Sequence, residues 1–289
     1  MPSPARRSTY KSLYQSVGRF VSYRINAERY LPNTHVQQTK YLALSSLVSR
    51  QISDDMPLSA HELSVFSQNG EDGVLFELCR RLKPSHSFVE FGIESGTQGN
   101  CVLLADVFGW SGLFIEASQL DFERLSLKYL HHAKVKTIQA MVTPKTVESI
   151  FSEAEVPPDI GVLSIDIDGN DYWVWEAITS WQPTIVVVEI NSLLSFNDPL
   201  VQPYCEDSSA KSKSSFFGAS LGALVNLGRS KGYHLIHVDL TGVNAFFVRS
   251  DVAADLGSAD LVARHGLNYY LLGTQYQHPA SMRKDWVRV

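Results

Sequence analysis

An α/β fold built on a doubly wound, mostly parallel sheet is predicted by three observations. Short β-branched or aromatic runs alternate with helical stretches from Glu71 onward, the pattern of parallel strands joined by crossover helices. Two late runs are separated by only Asp239–Val243, too short for a helix and suited to a hairpin through Thr241-Gly242. Several runs end in carboxylates or glycines, which suits the carboxyl edge of an open sheet, where such folds bind ligands.

The strand runs, in order, are Ser87–Phe91, Gly112–Glu116, Val135–Gln139, Gly161–Asp166, Thr184–Glu189, Tyr233–Val238 and Asn244–Arg249. Upstream lies a basic arm, in which residues 1–50 hold eight Lys or Arg against the single acid Glu28. Within it Tyr10, Leu13, Tyr14, Val17, Phe20 and Val21 recur at the spacing of one helical face, so residues 1–60 read as a helical extension to a domain over 61–289. Polar Ser and Gln dilute the basic face of that stripe and it holds no Trp. It therefore reads as a surface packed on its own domain or on a second subunit, predicting a homo-oligomer rather than a membrane anchor. Residues 192–217 are rich in Ser, Asn, Asp and Pro, and a loop of that length predicts a lid over the substrate.

Composition sets the outer bounds. The 289 residues are 44% hydrophobic, 11% aromatic and 19% charged, ordinary for a globular domain and unlike a disordered or fibrous chain. No stretch approaches the roughly 20 apolar residues of a membrane span, and the N-terminus lacks the apolar core of a secretory signal. Cys79, Cys101 and Cys205 are too few and too scattered for a disulfide framework or a four-ligand zinc site. A cytoplasmic protein with reduced thiols and no integral membrane association is expected. Net charge is −5, and because the arm is basic the body is more acidic still, which argues against nucleic acid as a partner.

The chemistry is read from the strand ends. The first run leads into Glu90-Phe91-Gly92-Ile93-Glu94-Ser95-Gly96, with Asn100 four residues on. Glycines here let backbone approach a ligand where a Cβ would clash. A dehydrogenase fingerprint needs a further glycine where Glu94 stands; a carboxylate repels a pyrophosphate but suits the ammonium of a methionine moiety. The second run ends at Glu116, followed by Ala117 and Ser118. An acid at that tip can accept both hydroxyls of an adenosine ribose, which fits S-adenosylmethionine and NAD alike. The fourth run leads into Asp166-Ile167-Asp168-Gly169-Asn170-Asp171, and the fifth into Glu189-Ile190-Asn191. So many like charges require something positive among them, either a hard divalent cation or the charged groups of the cofactor. Capping of the next helix by Asp168, Asn170 or Asp171 accounts for only part of the cluster.

Ser67-Gln68-Asn69-Gly70-Glu71-Asp72-Gly73, Phe88 to Gly92, Gly109 to Glu116, Ile165 to Trp173, Val188 to Asn191 and Phe217 to Leu221 together form six ordered blocks. In these the chain resembles the FkbM-related group of class I S-adenosylmethionine-dependent methyltransferases over roughly Ser64 to Arg249. The resemblance implies a Rossmann-like methyltransferase sheet and O-methylation of a sugar hydroxyl in a polysaccharide, glycolipid or glycosylated natural product. The strand-end acid and the glycine turn place the cofactor on Glu90, Gly92, Gly96, Asn100, Glu116, Ala117 and Ser118, with Asp166 near it, and the resemblance implies Gln68 or Glu71 closing over its methionine end. The Asp168 and Glu189–Asn191 pieces are also similar to the metal-binding strand ends of magnesium-dependent O-methyltransferases, which implies Mg2+ on Asp168, Glu189 and Asn191. Adjacent Glu-Asp is common at the second of those strands, whereas here Ile190 separates Glu189 from Asn191.

Methyl transfer from a sulfonium requires alignment of the acceptor oxygen and removal of its proton. A divalent ion can lower that hydroxyl's pKa, with Asp168, His234 or His237 as base. The two histidines differ by three positions, so strand alternation puts them on opposite faces. The rival readings are an NAD-dependent oxidoreductase and a non-catalytic adenosyl-binding partner protein.

Overall fold

The computed structural model describes residues 34–50, 52, 56–206, 216–254, 256 and 285–289. The predicted amphipathic helix over Tyr10–Val21 and residues 207–215 of the predicted lid lie outside them. The described elements begin with helix α1 (Thr34–Ser49), a short 3-10 turn (Leu58–His61) and α2 (Glu71–Leu82). Then come β1 (Ser87–Phe91), α3 (Val102–Asp106), β2 (Ser111–Glu116), α4 (Gln119–Tyr129), β3 (Val135–Gln139), α5 (Val147–Glu153), β4 (Val162–Ile165), α6 (Asp171–Ala177) and β5 (Ile185–Glu189). Strand β6 (Leu200–Val201), α7 (Leu221–Ser230), β7 (Tyr233–Val238), β8 (Asn244–Arg249) and β9 (Val287–Arg288) complete them.

Seven strands form one sheet in the order β3-β2-β1-β4-β5-β8-β7. Neighbours from β3 through β5 pair in parallel, while β8 runs antiparallel to both β5 and β7. This is the mostly parallel sheet with one antiparallel hairpin strand that the sequence predicts. The strand order departs from the chain order on either side of β1 and β4, which opens a crevice at their carboxyl ends.

Side-chain alternation divides the core between the two faces of the sheet. Phe88, Phe114 and Val162 pack on one face with Leu44, Leu75, Leu104 and Leu125 from α1 to α4. Val89, Phe91, Leu113 and Leu163 pack on the other with Phe151, Trp175 and Leu224 from α5 to α7. Each fully buried large side chain of this kind contributes roughly 1.5–3 kcal/mol. Helix α1 belongs to the first layer, since Leu44, Leu47 and Val48 are buried there, and its Lys40 ammonium donates to the Thr97 carbonyl at 3.1 Å.

Boundaries differ from the sequence expectation where backbone conformation intervenes. Helix α7 starts at Leu221, because Gly218 is left-handed (φ 60°) and Ser220 caps the first turn by accepting from the Ala223 amide. Residues 192–217 are not uniformly loop, since they contain β6, which pairs with β9. The three cysteines are free thiols. Among the described residues no helix is long and apolar enough to cross a membrane.

Candidate functional site

Residues singled out at the strand ends converge on the carboxyl edge of the sheet, though several act differently from expectation. Gly92 has φ 79°, and a Cβ there would collide with the Asp166 carbonyl oxygen. Its glycine is therefore demanded first by the close approach of β1 to the segment after β4. A Cβ at Gly96 would meet Leu125 Cδ1 at 2.6 Å, so that glycine seats the loop on α4.

Glu90, expected to hold the cofactor, is bonded within the protein itself. It is buried, and its two oxygens accept from the amides of Asn100 at 2.7 Å and Cys101 at 2.9 Å, which fixes the entry to α3. Burial pushes its carboxyl up to about 7, against those two amide hydrogen bonds. The Asn100 side chain donates to Ser164 Oγ at 3.1 Å. In the upstream loop, Gln68 is exposed, whereas Glu71 is buried and accepts from the Asn69 amide at 2.7 Å and Asn244 Nδ2 at 2.8 Å. Glu71 thus ties that loop to the first residue of β8.

Glu116 occupies the tip of β2, as expected. Its oxygens accept from the Glu94 amide and the Ser118 amide, each at 2.7 Å, joining the glycine loop to the β2 end. A carboxylate offers about four acceptor positions, so these two bonds leave capacity for hydroxyl donors. Ala117 and Ser118 are exposed beside it, and Ser118 Oγ caps α4 through the Asp121 amide.

The acidic cluster consists of Asp166, Asp168 and Glu189, from each of which an oxygen lies within 4.8 Å of the others. Asp168 adopts φ 55°, an uncommon conformation for a residue with a Cβ. Asp171 holds the segment there, its oxygens accepting from the Ile167 and Gly169 amides at 2.8 Å each. Burial pushes the Asp171 carboxyl up to about 6. Neither Asp171 nor Asn170 makes a side-chain cap to α6, so capping does not explain these residues. Asn191, expected as a metal ligand, is fully buried and turned to another task. Its Nδ2 donates to the Phe217 carbonyl at 2.9 Å and its Oδ1 accepts from the Leu193 amide at 3.1 Å. Three carboxylates with oxygen-only donors suit a hard divalent cation.

The histidines correct the alternation argument. A register shift between Leu235 and His237 sets His234 opposite Val248 and His237 opposite Phe246, so the bulge brings both to one face instead of two. His234 is exposed. His237 is buried, with Nε2 2.8 Å from Glu62 Oε1, an ion pair when the imidazole is protonated.

One wall of the crevice is built by residues the sequence did not flag for this purpose. Asn170 Nδ2 donates to the Cys205 carbonyl at 2.7 Å, and its Oδ1 accepts from the Cys205 amide at 3.3 Å. Trp173 Nε1 donates to the Gln202 carbonyl at 2.8 Å. The loop after β5 is thereby strapped onto the segment that carries Asp168. Its pairing with β9 joins residues 86 positions apart, Val201 and Val287, and no local signal in a two-residue strand announces so distant a partner.

No family model matches the chain, and no curated protein does. Among solved structures, the N-terminal domain of EvdMO1 with SAH bound is 11% identical, with 64% of this chain and 81% of that one covered at a TM-score of 0.41. A putative caffeoyl-CoA O-methyltransferase from Staphylococcus aureus is 13% identical, with 79% and 98% covered at a TM-score of 0.40. Fibrillarin from Aeropyrum pernix, with natively bound S-adenosyl-L-methionine, is 12% identical, with 58% and 68% covered at a TM-score of 0.39. Such scores assign neither a residue nor a reaction to this chain.

Proposed function

We propose that the chain is an S-adenosylmethionine-dependent O-methyltransferase acting on a sugar hydroxyl. The observation that carries this reading is the pairing of two features on one sheet edge. Glu116 stands at the tip of β2 and is bonded to the glycine loop through Glu94, while Asp166, Asp168 and Glu189 gather two and three strands away. The first feature suits an adenosine ribose. The second suits the place where a hydroxyl loses its proton.

In this reading Glu116 receives the ribose hydroxyls, Gly92 to Gly96 border the methionine moiety, and Asp166 lies toward the cofactor. Glu90 acts indirectly, by holding α3 against the loop. Asp166, Asp168 and Glu189 would hold a divalent cation, which supplies Lewis-acid polarisation of the acceptor oxygen when bound. Without a bound cation, Asp168, exposed and set in its unusual conformation by Asp171, is the residue assigned to take the acceptor proton. Withdrawal of that proton and exclusion of water are what the protein contributes to an in-line displacement.

The test is turnover. Protein incubated with S-adenosylmethionine and a library of glycosides, read by mass spectrometry, is expected to give a product heavier by one methylene. Asp168→Asn is expected to lower kcat about 10²–10⁴-fold, the usual range for loss of a general base, with affinity for S-adenosylhomocysteine retained. Absence of methylated product across the library, or an Asp168→Asn variant with full turnover, sinks the assignment.

A further inference from the structure

Strand β6 is flanked on both sides. Val201 bridges antiparallel to Ala219 and pairs with Val287 of β9 on the other side. The result is a small ribbon that brings residues 285–289 onto the loop beside the acidic cluster. The ribbon is fastened by the Val289 amide donating to the Pro199 carbonyl at 3.0 Å and by Arg288 Nη2 lying 3.2 Å from Asp198 Oδ1. Trp286 and Phe216 meet across it, ring centroids 4.4 Å apart and planes at 59°, both half-buried so that part of each ring remains accessible.

The orientation of that pair follows from register. Leu200 lies opposite Arg288 and Val201 opposite Val287, so one residue further Trp286 comes opposite Gln202. Directly opposed residues project from the same face of an antiparallel pair. Gln202 accepts from the Gly218 amide at 3.2 Å, and a Cβ on Gly169 would lie 3.1 Å from its Oε1. Gln202 is therefore packed against the residue that follows Asp168. Continued by one residue, the register puts Trp286 on the ribbon face of Gln202, where its ring meets that of Phe216.

We infer that the Trp286–Phe216 pair is the platform on which the acceptor ring lies, making Trp286 a specificity-determining residue. This rests on the methyltransferase reading above. A pyranose has an apolar face of C–H groups and a periphery of hydroxyls, so it matches an aromatic surface bordered by polar groups. Here the border is Gln202 and the three carboxylates.

The experiment uses the full chain, with methyl α-D-glucopyranoside, methyl α-D-mannopyranoside and methyl α-L-rhamnopyranoside as acceptors. Trp286→Ala is expected to raise KM for the acceptor that turns over at least tenfold, with kcat within threefold and S-adenosylhomocysteine affinity unchanged by calorimetry. Trp286→Phe, which keeps a ring in place, is expected to restore KM to within about threefold. Quenching of tryptophan fluorescence by the glycoside is expected to weaken in Trp286→Phe. An unchanged KM in Trp286→Ala overturns the inference alone. So does a joint loss of kcat and product affinity, which marks a structural role. Failure of the wild-type chain to methylate any of the glycosides while it methylates an aromatic hydroxyl overturns both the inference and its sugar substrate class. Absence of S-adenosylhomocysteine binding overturns the methyltransferase reading itself.

Discussion

The residues with the strongest electrostatic cost are those that hold the edge of the sheet together. Glu90, Asp72 and Asp239 are buried carboxylates, pushed up by desolvation to about 7, 6 and 6 respectively. Asp72 accepts from the amides of Val65, Phe66 and Ser67, so it anchors the loop ahead of α2. A carboxyl whose folded pKa lies above its unfolded value keeps its proton in the native state while the unfolded chain releases it. Stability is then unaffected below about pH 4 and falls as pH rises through the interval from 4 to 7. The urea midpoint is accordingly expected to be higher at pH 5.5 than at pH 7.5, and Glu90→Gln is expected to flatten that slope. Because His61, lowered by burial, contributes with the opposite sign over the same interval, the test is the difference between the two chains: a slope that Glu90→Gln leaves unchanged contradicts the assignment of Glu90 as a carboxyl raised by burial. At the same scale, removing the Asn170 side chain breaks both of its bonds to Cys205. Asn170→Ala is expected to destabilise by about 1–3 kcal/mol, the net contribution of two hydrogen bonds, measured by thermal denaturation.

Among the elements, the glycine turn after β1 is where local sequence and long-range packing meet. Gly92 and Gly109 both have positive φ, 79° and 63°, but only Gly92 has the Asp166 carbonyl where a Cβ would go, while nothing lies within 4 Å of the corresponding position at Gly109. Gly109→Ala is expected to cost about 1–2 kcal/mol from backbone conformation. Gly92→Ala is expected to cost at least twice as much, and equal thermal midpoints in the two variants would show that the β1–β4 approach is softer than drawn here. All seven strands of the main sheet were legible in the sequence because their periodicity is local and most of the runs end at a turn residue or an acid. Glu116, Asp166, Asp168 and Glu189 were legible for the same reason, since a strand end fixes where its last side chain sits. The places of His234 and His237 were not, because one bulge in β7 reverses the parity that alternation relies on. The contacts of the buried Asn191 amide with Phe217 and Leu193 were not legible, because spacing cannot reveal a loop contact. Trp286 was invisible for a different reason: its importance depends on a pairing between strands of two residues.

For the molecule as a whole, the sheet sets one working edge. The order β3-β2-β1-β4-β5-β8-β7 puts Glu116 and the glycine loop on one side of the β1–β4 divide and the acidic cluster on the other, so an adenosyl group and an acceptor can lie end to end across it. If a cation belongs to Asp166, Asp168 and Glu189, exhaustive chelation is expected to lower turnover and added Mg2+ to restore it, while S-adenosylhomocysteine affinity stays the same; full turnover after chelation leaves Asp168 acting alone. The most direct measurement is a calorimetric titration of wild-type and Glu116→Ala chains with S-adenosylhomocysteine and, separately, with NAD. The expected result is saturable binding of S-adenosylhomocysteine, weakened by about 1–3 kcal/mol in Glu116→Ala, and no heat with NAD. Binding of NAD in preference to S-adenosylhomocysteine, or an affinity for S-adenosylhomocysteine that Glu116→Ala leaves unchanged, would contradict it.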